Sequence, residues 1–333
     1  MQIEISEKIP LQCRQKVYRP DTGQFLLSMI AGSEQAEDLS APPNCGGYGR
    51  IHHFRRRVDI GWMDDPLPID PACKALGLSY VDMLETQVSQ LAVCNLHCWY
   101  CFVPNILKCA QAETSQWFTA EEMIDTFLKE KNHPCIIDLS GGNPELVPEW
   151  IIQTMKTLDK KGLSEKIYLW SDDTLTTDYT FQFLSKEDLS YFKNYRNYGK
   201  VCCFKGFDPA SFSFNSGLPG NMFYKQFEHF HRYLELGLDL YGYVTITAED
   251  YSGIEGRVDE FMDRLQTIHP LLPLRVVPLK IFQFSPTKTR TAEKHMRAIE
   301  QQSLAAVAWK KQLNSRFSTE QLETRISDIN LYS

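Results

Sequence analysis

The chain has 333 residues, of which 43% are apolar and 23% are charged, a balance typical of a folded globular protein and not of a disordered or fibrous one. Its 35 basic residues stand against 42 acidic ones, and the formal net charge of −7 argues against nucleic acid as a partner. No apolar run approaches the roughly 18 residues of a membrane-spanning helix, and the amino terminus lacks the pattern of a signal peptide. We therefore expect a cytoplasmic protein without a membrane contact.

The first 86 residues differ in composition from the rest of the chain. Proline and glycine are frequent at 42–47, and prolines recur at 64–69, which predicts an irregular amino-terminal extension packed on the main domain. Between these stretches lies a basic run, Arg50–Arg57. This run contacts a phosphate-bearing or acidic substrate, forms a solvated face, or pairs internally with carboxylates such as those near Asp64 and Asp65.

From about residue 87 onward, short apolar runs alternate with longer amphipathic ones, the pattern of successive βα units. A capping box of Thr119 and Glu122 opens the first helix. Parallel strands joined by helices curl into a complete or partial barrel, and six such units fit between residues 87 and 313. The predicted strands are Gln87–Val93, Cys135–Leu139, Ile167–Trp170, Val201–Phe204, Leu240–Ile246 and Leu274–Phe282. The predicted later helices are Thr177–Tyr195, Met222–Leu236, Ile254–Ile268, Thr291–Leu313 and a short closing one within Ser318–Leu331.

A cluster of three cysteines directly follows the first predicted strand. Cys94, Cys98 and Cys101 lie within twelve residues, Leu91–Phe102, and thiolates so close in sequence can converge on one soft metal centre. A closed zinc site or an ordinary iron–sulfur cubane has four protein ligands, so a cubane held by three leaves one iron open to a ligand that is not protein. The alternative is a zinc knuckle, but no fourth cysteine or histidine follows at zinc-finger spacing.

Glycines and polar residues follow the next three predicted strands. The segment 140–145, Ser-Gly-Gly-Asn-Pro-Glu, ends the second strand, and its two glycines let backbone groups approach a ligand. Ser171 and Asp172 end the third strand, where they suit the hydroxyl or ammonium groups of a ligand or cap the next helix. Lys205 follows the fourth strand and either contacts a ligand carboxylate or lies in solvent.

The cysteine loop, followed one βα unit later by the glycine pair, resembles the radical S-adenosylmethionine (radical SAM) superfamily. The segment Asp64–Pro68 and the length of six βα units are weakly similar to its pyruvate formate-lyase activating-enzyme-like branch. The resemblance covers residues 87 to 313. It implies an α/β fold, a partial (β/α)6 barrel with an irregular amino-terminal extension and carboxyl-terminal helices. The implied domains are an extension over 1–86, the barrel over 87–313 and a helical tail over 314–333.

The resemblance also implies two cofactors and the residues that bind them. Cys94, Cys98 and Cys101 would hold a [4Fe–4S] cluster whose open iron chelates SAM. Glu145 is an alternative to Asn143, which stands where many relatives have glutamate. We expect Gly142→Val to weaken SAM binding and to leave the cluster in place. The implied SAM contacts are Tyr100, Gly141, Gly142, Asn143, Ser171, Asp172 and Lys205.

The implied activity is that of an oxidoreductase that cleaves SAM reductively to a 5′-deoxyadenosyl radical, which then abstracts hydrogen from a substrate. The substrate is open: a small molecule, a natural-product precursor, a peptide or a protein. Alternatives are a glycyl-radical-enzyme activase, an RNA-modifying enzyme and, from another class, a non-catalytic iron–sulfur or zinc-binding scaffold. A one-electron donor such as flavodoxin or ferredoxin is the implied partner.

Two expectations concern the extension. Its irregular sequence and its basic run predict that it, and not the barrel, governs recognition of the substrate. Cys13, Cys45 and Cys73 could bind an auxiliary cluster, as in some relatives, although no pair with C-x2-C spacing is present among them.

Overall fold

The structure, a computed structural model, describes residues 2–332 and the side chains from residue 8 onward. Its helices and strands are numbered in chain order. The strands are β1 Tyr18–Arg19, β2 Gln24–Ser28, β3 Gly49–Arg55, β4 Met83–Ser89, β5 Ser115–Phe118, β6 Ile136–Leu139, β7 Tyr168–Asp173, β8 Tyr198–Phe204, β9 Leu240–Thr245 and β10 Val276–Leu279. The helices are α1 Gln2–Val17, α2 Ile69–Leu76, α3 Ala120–Leu128, α4 Pro148–Lys160, α5 Tyr179–Phe183, α6 Lys186–Asn194, α7 Pro209–Ser216, α8 Lys225–Leu236, α9 Ile254–Ile268, α10 Ser285–Lys288, α11 Glu293–Arg316 and α12 Thr319–Glu323.

The centre of the fold is a seven-stranded sheet with the order β10-β9-β8-β7-β6-β4-β3. From β4 to β10 all neighbours are parallel, which confirms the partial barrel and the six strands predicted from the βα period. The register pairs Ser89 with Leu139 and Leu139 with Ser171, so the carboxyl ends of β4, β6 and β7 meet at one edge. Cofactors bind at this edge in barrel enzymes.

The first parallel strand begins and ends earlier than its apolar run suggests. After Ser89 the backbone leaves the sheet, and Gln90 and Ala92 bond instead to Ser28 and Leu26 of β2, at 2.9 and 3.0 Å. The apolar residues after Ser89 are therefore buried against the amino-terminal hairpin and not within the sheet.

The amino-terminal extension is more regular than its composition predicts. Strand β3 pairs antiparallel with β4 along seven residue pairs and so extends the central sheet, while β1, β2 and β5 form a second, three-stranded sheet. The domain boundary at residue 86 stays a prediction, because the strands on both sides of it lie in one sheet.

The amino-terminal extension also contacts β10 and the segment after it, at the edge of the sheet opposite to β3. The indole Nε1–H of Trp62 donates to the carbonyl oxygen of Pro278 on β10 at 3.1 Å. The backbone N–H of Ser285 donates to Asp38 at 2.7 Å, and Lys280 forms an ion pair with Asp59. One side of the open barrel is therefore closed by residues that precede its first parallel strand.

Helix boundaries follow local capping chemistry. Thr119 and Glu122 form the predicted capping box of α3. The single helix predicted over 177–195 is wrong: it is divided into α5 and α6, because Ser185 accepts the Asp188 N–H at 3.0 Å and begins a new helix. The closing helix is shorter than predicted, five residues in α12. Across residues 2–332 no helix is both long and apolar enough to cross a bilayer.

Candidate active site

A cavity of about 490 Å³ opens at the carboxyl edge of the central sheet. Its volume lies in the range of small-molecule binding sites. Residues that follow β4, β6, β7, β8 and β10 line it, together with Tyr243 of β9, the second half of β3 and the segment after β3. The lining includes Cys94, Cys98, Tyr100, Cys101, Phe102, Gly142, Thr174, Lys205, Tyr243, Leu279 to Phe282, Phe284, His52 to Arg55, Arg57, Val58 and Asp65.

The cysteine loop follows β4 and is held by side chains on both sides. The amide of Asn95, between the first two cysteines, donates to the hydroxyl of Thr176 at 3.1 Å and accepts from the amide of Asn143 at 2.6 Å. The backbone N–H of His97 donates to Ser216 at 2.9 Å. The cysteine loop is thus tied to the glycine-containing loop, which the sequence placed one βα unit later.

The three thiols face the same cavity, as a shared metal centre requires. Burial raises the pKa of Cys94 to about 12, and the nearby Lys108 ammonium opposes that shift. Among residues with described side chains, no three His, Cys, Asp or Glu side chains converge on a single ion. A [4Fe–4S] cluster does not need such convergence, because each of its cysteine ligands binds a different iron.

Three cations surround the cysteine loop. Lys205 lies on the cavity wall, and its pKa is raised well above its usual value: burial opposes the charged form, but the neighbouring Tyr100, Cys203, Cys98 and Asp172 side chains outweigh it. Behind the loop, the guanidinium of Arg290 donates to Asn105 at 3.1 Å and to the carbonyl oxygens of Cys101 and Val103. The third is Lys108, whose side chain is only 7% exposed. Enclosed cations suit an anionic cofactor, and a cluster with thiolate ligands is one.

The glycine loop fits closely under the cysteine loop. Gly142 has a φ of 66°, and a Cβ atom there would lie 2.2 Å from the carbonyl oxygen of Leu91 and 2.5 Å from that of Val93. Gly141, with a φ of 90°, packs against the side chain of Gln90. The structure therefore argues against the expectation that Gly142→Val spares the cluster, since the new side chain would press on the backbone that leads into Cys94.

The cavity wall includes only some of the SAM contacts predicted from the sequence. Tyr100, Gly142 and Lys205 line it, and the Tyr100 hydroxyl is within 2.9 Å of the Thr245 hydroxyl. The other predicted contacts are not among the residues that line the cavity: Gly141, Asn143, Ser171 and Asp172.

Each polar side chain among these residues has an internal contact. The Ser171 hydroxyl is 2.6 Å from that of Tyr198, and Asp172 accepts from the Ser140 hydroxyl at 2.5 Å. Neither residue caps the next helix, whose N-cap is Asp178. The side-chain oxygen of Asn143 is buried without a protein partner, so it keeps an acceptor free beside the cysteine loop.

Glu145, the alternative to Asn143, belongs to a different part of the molecule. Its carboxylate accepts from Lys200 at 2.8 Å, and Lys200 also contacts Asp173 at 3.1 Å. All three side chains are enclosed between the sheet and the outer helices. Glu145 therefore neutralises a buried lysine and does not face the cavity.

The three cysteines of the extension do not come together. The cysteine that interacts electrostatically with Cys13 is Cys109, and Cys73 interacts in the same way with Cys135. The backbone N–H of Cys45 donates to Glu130 at 2.6 Å. An auxiliary cluster on Cys13, Cys45 and Cys73 is therefore not supported.

Sequence reasoning missed much of the cavity wall. Thr174 follows β7 and could have been found from its place at a strand end. His52, Phe54 and Val58 come from the extension, and the residues after β10 face them across the cavity. No local pattern marks these two distant segments as neighbours.

Comparison with known proteins agrees with the cysteine site. A family model described as a 4Fe-4S single cluster domain matches residues 87–195. No curated protein matches the chain. Among solved structures, SuiB of Streptococcus suis bound to the precursor peptide SuiA is 15% identical, with a TM-score of 0.37 over 53% of this chain and 36% of that one. Histidine-tagged anSMEcpe with bound AdoMet is 17% identical, with a TM-score of 0.37 over 53% of this chain and 45% of that one.

The chain thus spans less than half the length of these solved structures. The stronger indications are internal to the chain: three cysteines at C-x3-C-x2-C spacing, their position directly after the first parallel strand, and the matched 4Fe-4S domain around them. Together with the six parallel strands of the partial barrel, these features agree with the resemblance to the radical SAM superfamily.

Proposed function

We propose that the protein is an enzyme that binds a [4Fe–4S] cluster and SAM and cleaves SAM reductively to start a radical reaction on a substrate. The observation that carries this proposal is one cavity whose wall contains the three free thiols, Gly142 and Lys205. When bound, the cluster and SAM supply the electron and the 5′-deoxyadenosyl radical for hydrogen abstraction.

The protein's own residues bind, orient and shield these groups. Cys94, Cys98 and Cys101 are the cluster ligands in this proposal, and the Asn95 contacts fix the loop between them. The backbone of Gly142, on the cavity wall, binds the amino-acid end of SAM, and Lys205 provides a cation for its carboxylate. Tyr100 offers a ring beside the third cysteine for the adenine.

The outer part of the cavity is the proposed substrate site. It lies between 52–58 of the extension and 279–284 after β10, where Phe54, Phe282 and Phe284 present an apolar wall. Two arginines, Arg55 and Arg57, border the same opening. This arrangement supports recognition of the substrate by the extension, as the sequence predicts. The substrate in this proposal is a small molecule, a peptide or a protein loop. The electron donor is flavodoxin-like or ferredoxin-like, and the location is cytoplasmic.

The proposal is tested by anaerobic reconstitution with iron and sulfide, followed by an assay for 5′-deoxyadenosine with dithionite and SAM. We expect about four irons per chain, as for one cubane cluster, and formation of 5′-deoxyadenosine. Cys98→Ala should abolish both, whereas Cys109→Ala, which removes an exposed thiol outside the loop, should abolish neither.

Two results would contradict the proposal in different ways. Full iron content in a variant that lacks all three loop cysteines would show that they are not the ligands. A complete cluster without SAM cleavage would favour the non-catalytic iron–sulfur scaffold.

A further inference from the structure

A buried lysine, Lys108, lies beside the cysteine loop and is not among the residues that line the cavity. Lys108 is the last residue of a short 3₁₀ helix, Asn105–Lys108, and its side chain is 7% exposed. The next residue, Cys109, forms an antiparallel bridge with Val93, and the Ala110 N–H donates to the Ala92 carbonyl at 2.8 Å. These backbone contacts fix Lys108 beside the residue that precedes Cys94.

The position of the helix is fixed from its other side as well. The Ser28 hydroxyl donates to the carbonyl oxygen of Leu107 at 2.7 Å, so β2 holds the helix against the loop. The backbone on both sides of Lys108 is therefore held against the cysteine loop.

The surroundings of Lys108 are unusual for an enclosed lysine. Buried lysines are normally neutralised by carboxylates, as Lys200 is by Glu145 and Asp173. Burial disfavours the Lys108 ammonium, Arg290 also opposes it, and the neighbouring groups that favour it are Cys101, Cys94 and Cys98. The cysteine loop therefore becomes the counter-charge of this ammonium when its sulfurs are thiolate ligands.

We propose that Lys108 is a positioning residue that sets the reduction potential of the cluster held by Cys94, Cys98 and Cys101. This inference rests on the proposed function, since it assumes that the cluster is present. Reduction adds one electron to the cluster and makes the group of cluster and thiolates more negative. A fixed cation beside it stabilises the reduced form more than the oxidised form.

The direction of the effect follows from this charge difference. Removing the Lys108 charge should make the potential more negative and the cluster harder to reduce. Net charge and hydrogen bonding near the sulfurs are known determinants of cluster potentials. A purely structural lysine would change iron retention but would not displace the potential of the cluster that remains.

The test is a potentiometric titration of the anaerobic reconstituted protein with dithionite, without SAM, in which paramagnetic resonance follows the reduced cluster. Lys108→Gln should shift the midpoint to a more negative potential, and Lys108→Arg should restore it because the charge is kept. Lys288→Gln, which removes an exposed charge on α10, should leave the midpoint unchanged.

An unshifted midpoint in Lys108→Gln at full iron content would overturn the inference. If Lys108→Gln fails to hold iron, Lys108→Arg decides: iron retained by arginine supports the need for charge, and iron lost from both variants shows a packing role and overturns the inference. Absence of any cluster in the unmodified protein would overturn the proposed function instead.

Discussion

Gly142 shows that a residue near the cysteine loop can be constrained by protein packing as well as by a bound ligand. The sequence suggested that the glycine leaves space for SAM. The structure adds a second constraint, since the carbonyl oxygens of Leu91 and Val93 occupy the position that a side chain would take. The glycine therefore serves the packing of the cysteine loop whether or not a ligand lies on its other side.

Gly142→Ala is accordingly expected to lower both iron content and thermal stability. The matched control is Gly162→Ala, because Gly162 has the same φ of 66° but no atom within 4 Å of the added Cβ. The left-handed backbone alone costs about 1–2 kcal/mol in each variant. Iron analysis and thermal unfolding of both proteins measure the difference, and equal losses in the two would show that the close approach to the loop is unimportant.

At the scale of elements, the arginines of the basic run Arg50–Arg57 lie in two environments: some are enclosed in the protein and others are exposed at the cavity. Arg56 donates to Asp70 at 2.5 Å, and the Asp70 side chain is 3% exposed. Arg50 is also enclosed, and its charge acts on Asp138 and Asp172. Arg55 and Arg57 remain exposed at the mouth of the cavity. Internal contact with carboxylates therefore applies to Arg50 and Arg56, whereas the solvated-face and substrate-contact alternatives remain for Arg55 and Arg57.

This division predicts opposite effects for two sets of variants. Arg56→Gln leaves the enclosed Asp70 carboxylate short of a partner and should destabilise the protein by about 1–3 kcal/mol. Arg55→Gln combined with Arg57→Gln should preserve stability and uncoupled SAM cleavage, and should raise KM for the physiological substrate. Urea unfolding and the 5′-deoxyadenosine assay check the first two expectations. Loss of SAM cleavage in the double variant would assign the two arginines to the structure.

At the scale of the whole molecule, the extension and the barrel are joined by a titratable contact. Asp65 accepts hydrogen bonds from the Tyr243 hydroxyl on β9 at 2.9 Å and from the Leu67 N–H at 3.0 Å. Burial raises the pKa of Asp65 from 3.8 to about 7, although these hydrogen bonds and the Arg56 charge oppose the shift. The folded protein therefore holds this proton more tightly than the unfolded chain does.

A raised carboxyl pKa means that stability is lost as the pH rises. Below pH 3.8 both states are protonated, and between 3.8 and about 7 only the unfolded chain ionises, which favours unfolding. Asp65→Asn cannot ionise, so its stability relative to the unmodified protein should increase across this window and level off above it. Urea midpoints at several pH values measure this gain, with Asp64→Asn as the control for net charge. A constant difference between the Asp65 variant and the unmodified protein would refute the prediction.

The sequence by itself determined the features that depend on local spacing. The βα period fixed the number of parallel strands, because each strand and helix must bury its apolar face within its own segment. The cysteine spacing identified the three thiols of the cavity, since residues so close in sequence share one loop. The capping box at Thr119 is likewise a contact between residues three apart.

Only the tertiary structure decided which distant residues meet. Glu145 and Lys200, 55 residues apart, form a buried ion pair, and Trp62 contacts Pro278 across 216 residues. Lys108 follows the cysteine loop closely in sequence, yet its position beside that loop depends on β2 and on the bridge between Val93 and Cys109. Such pairs are chosen by how the elements pack and by the need to neutralise enclosed charge, and neither condition leaves a periodic pattern in the chain.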